Sequence, residues 1–159
     1  MKLAGSCHCK AVTFEVESAA PYPFMKCYCS ICRKLAGSGG YAINLMADAH
    51  SLRVEGADQK SVYHAKIDGK TSPAERHFCG ACGSHLWLWD PRWPELLHPH
   101  AGSIDTALPQ TPETVHIMLK DKPAWIDVPE GPGHAHFEGY PDKSIEDWHK
   151  AHGLLEHKD

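Results

Sequence analysis

The sequence predicts a mainly β protein with one short helix near its C-terminus. Apolar residues come in short alternating stretches, glycine (13) and proline (12) interrupt them throughout, and helical spacing is confined to two brief segments. Ala11 to Glu17 alternates apolar and polar side chains, the pattern of a half-buried strand. Tyr41 to Met46, Ser51 to Val54 and Ser61 to His64 read as further short strands. Glu75 to Phe78 and His85 to Trp89 flank a Cys-Gly-Ala-Cys-Gly turn and predict a hairpin, and Thr114 to Leu119 and His134 to Phe137 complete the strand set. Lys122-Pro123 and Pro129 to Gly133 are turns. Ser30 to Leu35 is long enough for one or two helical turns, ending before Gly37. Ser144 to His152 is the strongest helix: Ser144 can cap it, Asp147 can close a capping box, and Gly153 can end it. Ile145, Trp148 and His149 would share its buried face.

A chain of 159 residues is expected to form a single domain, residues 1–159, with one sizeable core. Apolar residues make up 42% and charged residues 23%, a globular balance that excludes a disordered tail or a fibre. The formal net charge is −4, so no basic field draws the chain to nucleic acid or an anionic membrane, and neither is an expected partner. The longest apolar runs resemble Leu86-Trp87-Leu88-Trp89, far short of the ~20 residues that span a bilayer. The N-terminus reaches a cysteine at position 7, leaving no room for a secretory apolar segment, and the expected location is the cytoplasm.

The seven cysteines are the informative residues. They fall into three groups: Cys7-His8-Cys9, then Cys27-Tyr28-Cys29-Ser30-Ile31-Cys32, then Cys79-Gly80-Ala81-Cys82-Gly83. An odd count in a reducing compartment favours metal ligation over disulfides. In a strand, Cys7 and Cys9 would project to one side with His8 facing away. The Cys79–Cys82 turn would bring two more sulfurs to one point, with Gly80 and Gly83 relieving the backbone. Those four could close a tetrahedral zinc site that does no chemistry and ties distant parts of the chain together. Cys27, Cys29 and Cys32 would then grip a second zinc with its fourth position open, the pattern of a catalytic site. Spacing leaves two alternatives standing. Cys27 and Cys29 could instead pair with Cys79 and Cys82, and one of the 13 histidines could fill the fourth position of a purely structural site.

These motifs resemble the glutathione-dependent formaldehyde-activating enzyme family, also called centromere protein V-like. The resemblance rests on Gly5-Ser6-Cys7-His8-Cys9-Lys10-Ala11-Val12, on Cys27 to Lys34 with Gly37, and on Phe78-Cys79-Gly80-Ala81-Cys82-Gly83-Ser84. It continues into Ala101-Gly102-Ser103-Ile104-Asp105 and His116 to Trp125, covering residues 5 to about 140, with the helix at about 144–152 beyond it. It implies stacked, coiled antiparallel sheets with zinc-binding hairpins. It also implies two zinc ions per chain: structural zinc on Cys7, Cys9, Cys79 and Cys82, catalytic zinc on Cys27, Cys29 and Cys32.

The activity implied is that of a carbon–sulfur lyase, joining a thiol such as glutathione to a small aldehyde such as formaldehyde as a hemithioacetal, or cleaving it. Zinc could lower the pKa of the thiol or polarise the aldehyde; three thiolate ligands damp Lewis acidity and favour thiolate delivery. Arg33 and Lys34, directly after the triplet, could offset its charge or hold a carboxylate of the thiol, or could form an ordinary solvated helix end. Ser38 could border the pocket or be a plain turn residue. His77 and His85 read as surface or core, and Trp87, Trp89 and Trp93 as core or pocket wall. Two other classes compete: a zinc-stapled binding module without turnover, and a thiol-redox protein using a C-x-x-C pair, against which the accompanying C-x-C pairs favour metal.

Overall fold

The computed structural model describes residues 1–36 and 38–155; Gly37, the expected stop of the first helix, lies outside the described residues. The chain runs β1 (Lys2–Ser6), β2 (Thr13–Glu17), β3 (Phe24–Cys27), α1 (Ser30–Leu35), β4 (Ala42–Asn44), β5 (Ala47–Asp48), β6 (Arg53–Glu55), β7 (Lys60–Tyr63), β8 (Lys66–Ile67) and β9 (Lys70–Thr71). It continues through β10 (Glu75–Cys79), β11 (His85–Trp89), β12 (Leu96–Pro99), β13 (Thr114–Ile117), β14 (His134–His136) and α2 (Ile145–Ala151). The strands form sheets β1-β2-β6, β5-β12-β11-β10-β7, β14-β13-β3-β4 and the small pair β8-β9. Three of these are antiparallel throughout. In the β14-β13-β3-β4 sheet, β13 runs parallel to both β3 and β14. A parallel pair needs a long crossover, and the β3 and β13 segments are far apart in the chain.

The main core lies between the first two sheets. Alternate residues of β2, Phe14 and Val16, meet Leu45, Leu86, Trp87 and Leu97 from the larger sheet and its edge, and the Phe14 and Trp87 rings meet edge to face at 5.0 Å. Trp87 is therefore core; Trp89 packs at its margin, while Trp93 is exposed. A second, smaller core joins Ala42, Val115 and Ile117 to Cys27 and Cys32. Each candidate cluster thus has two cysteines packed into a core, Cys7 and Cys79 in the first and Cys27 and Cys32 in the second.

Two glycine–serine segments lock the N-terminal strand in place. Gly5 allows β1 to approach so closely that a Cβ there would stand 2.6 Å from the Ser103 carbonyl oxygen. Asp105 N–H donates to the Ala4 carbonyl at 2.8 Å, the Ser6 hydroxyl donates to the Asp105 carboxylate, and Lys10 Nζ bonds Ser6 Oγ at 2.6 Å. The Ala101–Asp105 segment is therefore a clasp across the strand that leads to Cys7.

Helix α2 has the predicted capping box: Asp147 N–H donates to Ser144 Oγ at 3.0 Å, and the Asp147 carboxylate accepts from the Ser144 N–H. Ile145, Trp148 and His149 are all buried. Trp148 Nε1–H donates to Glu113 at 3.1 Å and His149 Nε2–H to the Tyr22 carbonyl at 2.6 Å, so α2 covers the entrances to β3 and β13.

Candidate metal centre

Sulfurs of Cys7, Cys9, Cys79 and Cys82 lie within 4.8 Å of one another, and so do those of Cys27, Cys29 and Cys32. The first group joins the β1–β2 loop to the β10–β11 turn. Cys7 and Cys9 are not on a strand as expected. They lie in a tight loop after β1, where Lys10 N–H donates to the Cys7 carbonyl at 3.1 Å and Lys10 itself takes a left-handed conformation, φ 63°. The loop, not strand alternation, turns both sulfurs to one side.

The second arm is a similar knuckle. Gly83 N–H donates to the Cys79 carbonyl at 2.8 Å, and Gly83 has φ 76°. Gly80 does not share that conformation; there a Cβ would press on Ser61 Oγ at 3.0 Å and the Gln59 carbonyl at 3.1 Å. Ser84 ties the two arms together, its hydroxyl accepting from His8 N–H at 3.0 Å and lying 3.2 Å from Cys82 Sγ. That contact, with backbone hydrogen bonds behind it, pulls the Cys82 thiol down to about 5.

The donor set fits zinc. Sulfurs at ~2.3 Å from a tetrahedral ion are about 3.8 Å apart. Here Cys7 Sγ is 3.6 Å from Cys9 Sγ, and Cys9 Sγ is 3.8 Å from Cys79 Sγ. All seven cysteines are free thiols, and a disulfide would need sulfurs near ~2 Å.

The three-sulfur group is built on one turn of chain. Cys27 ends β3, Cys29 is the N-cap of α1, and Cys32 lies in its first turn, with Cys29 Sγ accepting from Cys32 N–H at 3.4 Å. Cys27 and Cys32 are buried, whereas Cys29 is half-exposed. Hydrogen bonds from Cys27 and Cys32 hold the Cys29 thiol down to about 2. The same contact with Cys29 pushes Cys27 up to about 12, and Cys27 and Cys29 push Cys32 up. The three sulfurs thus share protons, with Cys29 the most readily ionised of them. A divalent ion would draw off the remaining thiol protons. Among the described residues, no histidine or carboxylate joins the three sulfurs within 4.8 Å.

Tyr28 and His116 support this turn, and spacing did not single them out. Tyr28 is buried, its N–H donates to the Ile117 carbonyl at 3.1 Å, and its hydroxyl lies 2.8 Å from His116 Nδ1. His116 Nε2 in turn lies 3.0 Å from His134 Nδ1. Burial pushes His116 down to about 4, so at neutral pH it has one N–H and the chain of hydrogen bonds runs in one direction. The Tyr between two cysteines was the available signal, but its partner lies 88 residues away. Tyr28→Phe should cost ~1–3 kcal/mol in thermal or urea unfolding, because it leaves His116 Nδ1 without its partner in the interior. Affinity for metal at Cys27, Cys29 and Cys32 should fall about 10-fold or more, as for other supports of ligating residues.

Beside the trio lies a groove of about 680 Å³. Ser30, Ile31, Lys34 and Leu35 form one wall, and Tyr63, Arg76, Phe78 and His85 line the other. Lys34, Lys66 and Arg76 bring positive charge to it, and among the described residues no carboxylate lines it. Lys34 thus faces a cavity, while Arg33 does not line it. Ser38 is exposed and borders neither this groove nor the adjoining cavity; Gly39 borders the latter. His77 is buried and stacked on Trp87 at 5.1 Å, whereas His85 is a cavity residue. None of Trp87, Trp89 and Trp93 lines either cavity.

Fold and clusters together define a multi-sheet β protein with two thiol clusters able to hold metal ions. Residues 2–121 match the model of the family described as glutathione-dependent formaldehyde-activating enzyme. The chain is 59% identical over 156 residues to a Halomonas elongata protein named for that glutathione-dependent formaldehyde-activating activity, a match covering 98% of this chain and 99% of the relative. A crystal structure of a Rhodobacter sphaeroides protein superposes with a TM-score of 0.54 at 30% identity, covering 69% of this chain and 92% of the other. The chain belongs to the glutathione-dependent formaldehyde-activating enzyme family. No helix among the described residues is long and apolar enough to cross a membrane.

Proposed function

We propose that the protein is a zinc-dependent carbon–sulfur lyase of the cytoplasm, a single domain over residues 1–159 that interconverts glutathione plus formaldehyde with S-hydroxymethylglutathione. Cys7, Cys9, Cys79 and Cys82 would hold a structural zinc, and Cys27, Cys29 and Cys32 a catalytic one. The observation that carries this reading is the three-sulfur cluster, with only Cys29 reaching toward solvent and a cation-lined groove against its turn. Bound there, zinc would lower the pKa of a thiol and supply thiolate near neutral pH.

In the forward direction a sulfur lone pair bonds the carbonyl carbon, the carbonyl π pair moves to oxygen, and the thiol proton ends on that oxygen. The reverse breaks the carbon–sulfur bond. The chain's own residues would position the thiol. Lys34 and Lys66 attract a carboxylate-bearing peptide, and Ile31, Leu35 and Phe78 cover its apolar stem and keep water from it.

Metal analysis of protein purified without added metal should find close to two zinc ions per chain; finding none overturns the reading. In cobalt-substituted protein, the thiolate charge-transfer bands should shift with glutathione and stay unchanged with oxidised glutathione, which has no free thiol. Bands that respond to neither, with no glutathione-dependent loss of formaldehyde, would leave no basis for the enzyme.

A further inference from the structure

Where the groove meets the adjoining cavity stand three polar side chains with buried atoms that have no partner among the described residues. Arg76, on β10, is 8% exposed and His100, just past β12, is 5% exposed. Among the described residues, Arg76 Nη1 and both ring nitrogens of His85 and of His100 are buried without a hydrogen-bond partner. Among the described residues, Arg76 has no carboxylate within 4.0 Å. The two imidazole rings lie 4.1 Å apart. Arg76 and His85 line the 680 Å³ groove, while His85 and His100 line an adjoining cavity of about 480 Å³, so His85 borders both.

The arrangement comes from a bulge. The β10–β11 register slips between His77 and Phe78, so that Phe78 faces His85 where an unbroken ladder would bring Leu86. Bulges re-aim side chains in this way; here His85 joins Arg76 and Phe78 on the groove wall.

An unpaired buried guanidinium is costly, and each unsatisfied imidazole adds to the cost. A fold keeps such a group when an incoming ligand pairs it. Burial, followed by the Arg76 charge, pushes His85 down to about 4, and burial lowers His100 as well. Both rings are neutral near pH 7 and each offers one N–H donor beside a permanent cation. Asp90, the acid that feels the Arg76 charge, is already held by Arg92 at 2.6 Å, so the guanidinium N–H groups and two imidazole N–H groups are left to match a further carboxylate.

We propose that Arg76, with His85 and His100 beside it, is a carboxylate-recognition site where the groove meets the adjoining cavity. Its ligand is an organic acid: either a carboxylate of the thiol or that of an aldehyde acid taken in place of formaldehyde. The site itself stands on geometry alone; only the choice of these two sources rests on the proposed thiol–aldehyde chemistry.

The test uses zinc-replete protein and calorimetric titration with two probes that cannot turn over alone, S-methylglutathione and glyoxylate. Wild type should bind at least one, and Arg76→Met should weaken that binding by about 30-fold or more, the usual loss when one partner of a buried charge pair is truncated. Loss confined to S-methylglutathione, reproduced in wild type by its diethyl ester, assigns the carboxylate to the thiol. Loss confined to glyoxylate assigns it to the aldehyde. Ligand-free Arg76→Met should also melt no lower than wild type, because it removes an unpaired buried charge; a melting temperature lower by several degrees would make Arg76 a structural residue and overturn the site. Arg76→Lys and His85→Gln should each weaken the same probe. Failure of both probes to bind wild type, or equal binding by all variants, overturns the site even if formaldehyde turnover is intact. Probe binding that depends on Arg76 in a protein without turnover would instead overturn only the enzyme reading.

Discussion

Cys79→Ser is expected to leave little soluble, folded protein. Cys79 is fully buried at the end of β10, and its backbone closes the knuckle through Ser84 and Gly83. Its sulfur lies 3.8 Å from that of Cys9, 70 residues earlier. A metal held across such a separation is bound only by the folded chain, so its binding energy is folding energy, on the order of 10 kcal/mol for a structural zinc. That rivals the whole stability of a typical domain, roughly 5–15 kcal/mol. Soluble yield should collapse, or the surviving protein should melt about 10 °C lower or more and carry less zinc. A Cys79→Ser protein that melts with wild type would remove the structural role from this cluster.

Cys29→Ser is expected to do the opposite: abolish activity and keep the fold. Cys29 is half-exposed and caps α1 by accepting the Cys32 N–H. Serine is nearly isosteric and is a preferred N-cap, so the helix start is preserved. A neutral hydroxyl is a poor zinc ligand in place of a thiolate, so metal affinity at Cys27 and Cys32 should fall steeply. Zinc content should drop from about two per chain toward one (four thiolates still close the other site). Glutathione-dependent formaldehyde turnover should disappear, with the melting temperature within a few degrees of wild type. Equal losses of stability in the two variants would show that the clusters do not divide into structural and catalytic sites.

Much of the local structure was readable from pattern. His85–Trp89 is the observed β11, Ser30–Leu35 is the observed α1, and the Ser144–Asp147 capping box forms as expected. Strands β1, β3 and β12 and the two-residue β5, β8 and β9 escaped; Lys-Leu-Ala-Gly-Ser and Phe-Met-Lys-Cys, for β1 and β3, lack a clear alternation. Gly5 is unfavourable in a strand by propensity, and is tolerated because Phe14 and Ser103 press against it. β3 is held by Thr114 to Ile117 and Ala42 to Asn44, neighbours that no local window contains.

Cysteine spacing by itself determined that seven thiols come in three local groups with metal-ligand geometry, since i, i+2 and i, i+3 separations depend only on short-range backbone. It left open which groups meet, because spacing says nothing about contacts between residues 9 and 79. The packing of the β1–β2 loop against the β10–β11 knuckle made that choice and left Cys27, Cys29 and Cys32 as a separate trio. Arg76, His85 and His100 are ordinary polar residues in one dimension. They become a site only because a bulge and three adjacent strands bury them together without partners, and burial is a property of the assembled sheets rather than of any segment of chain.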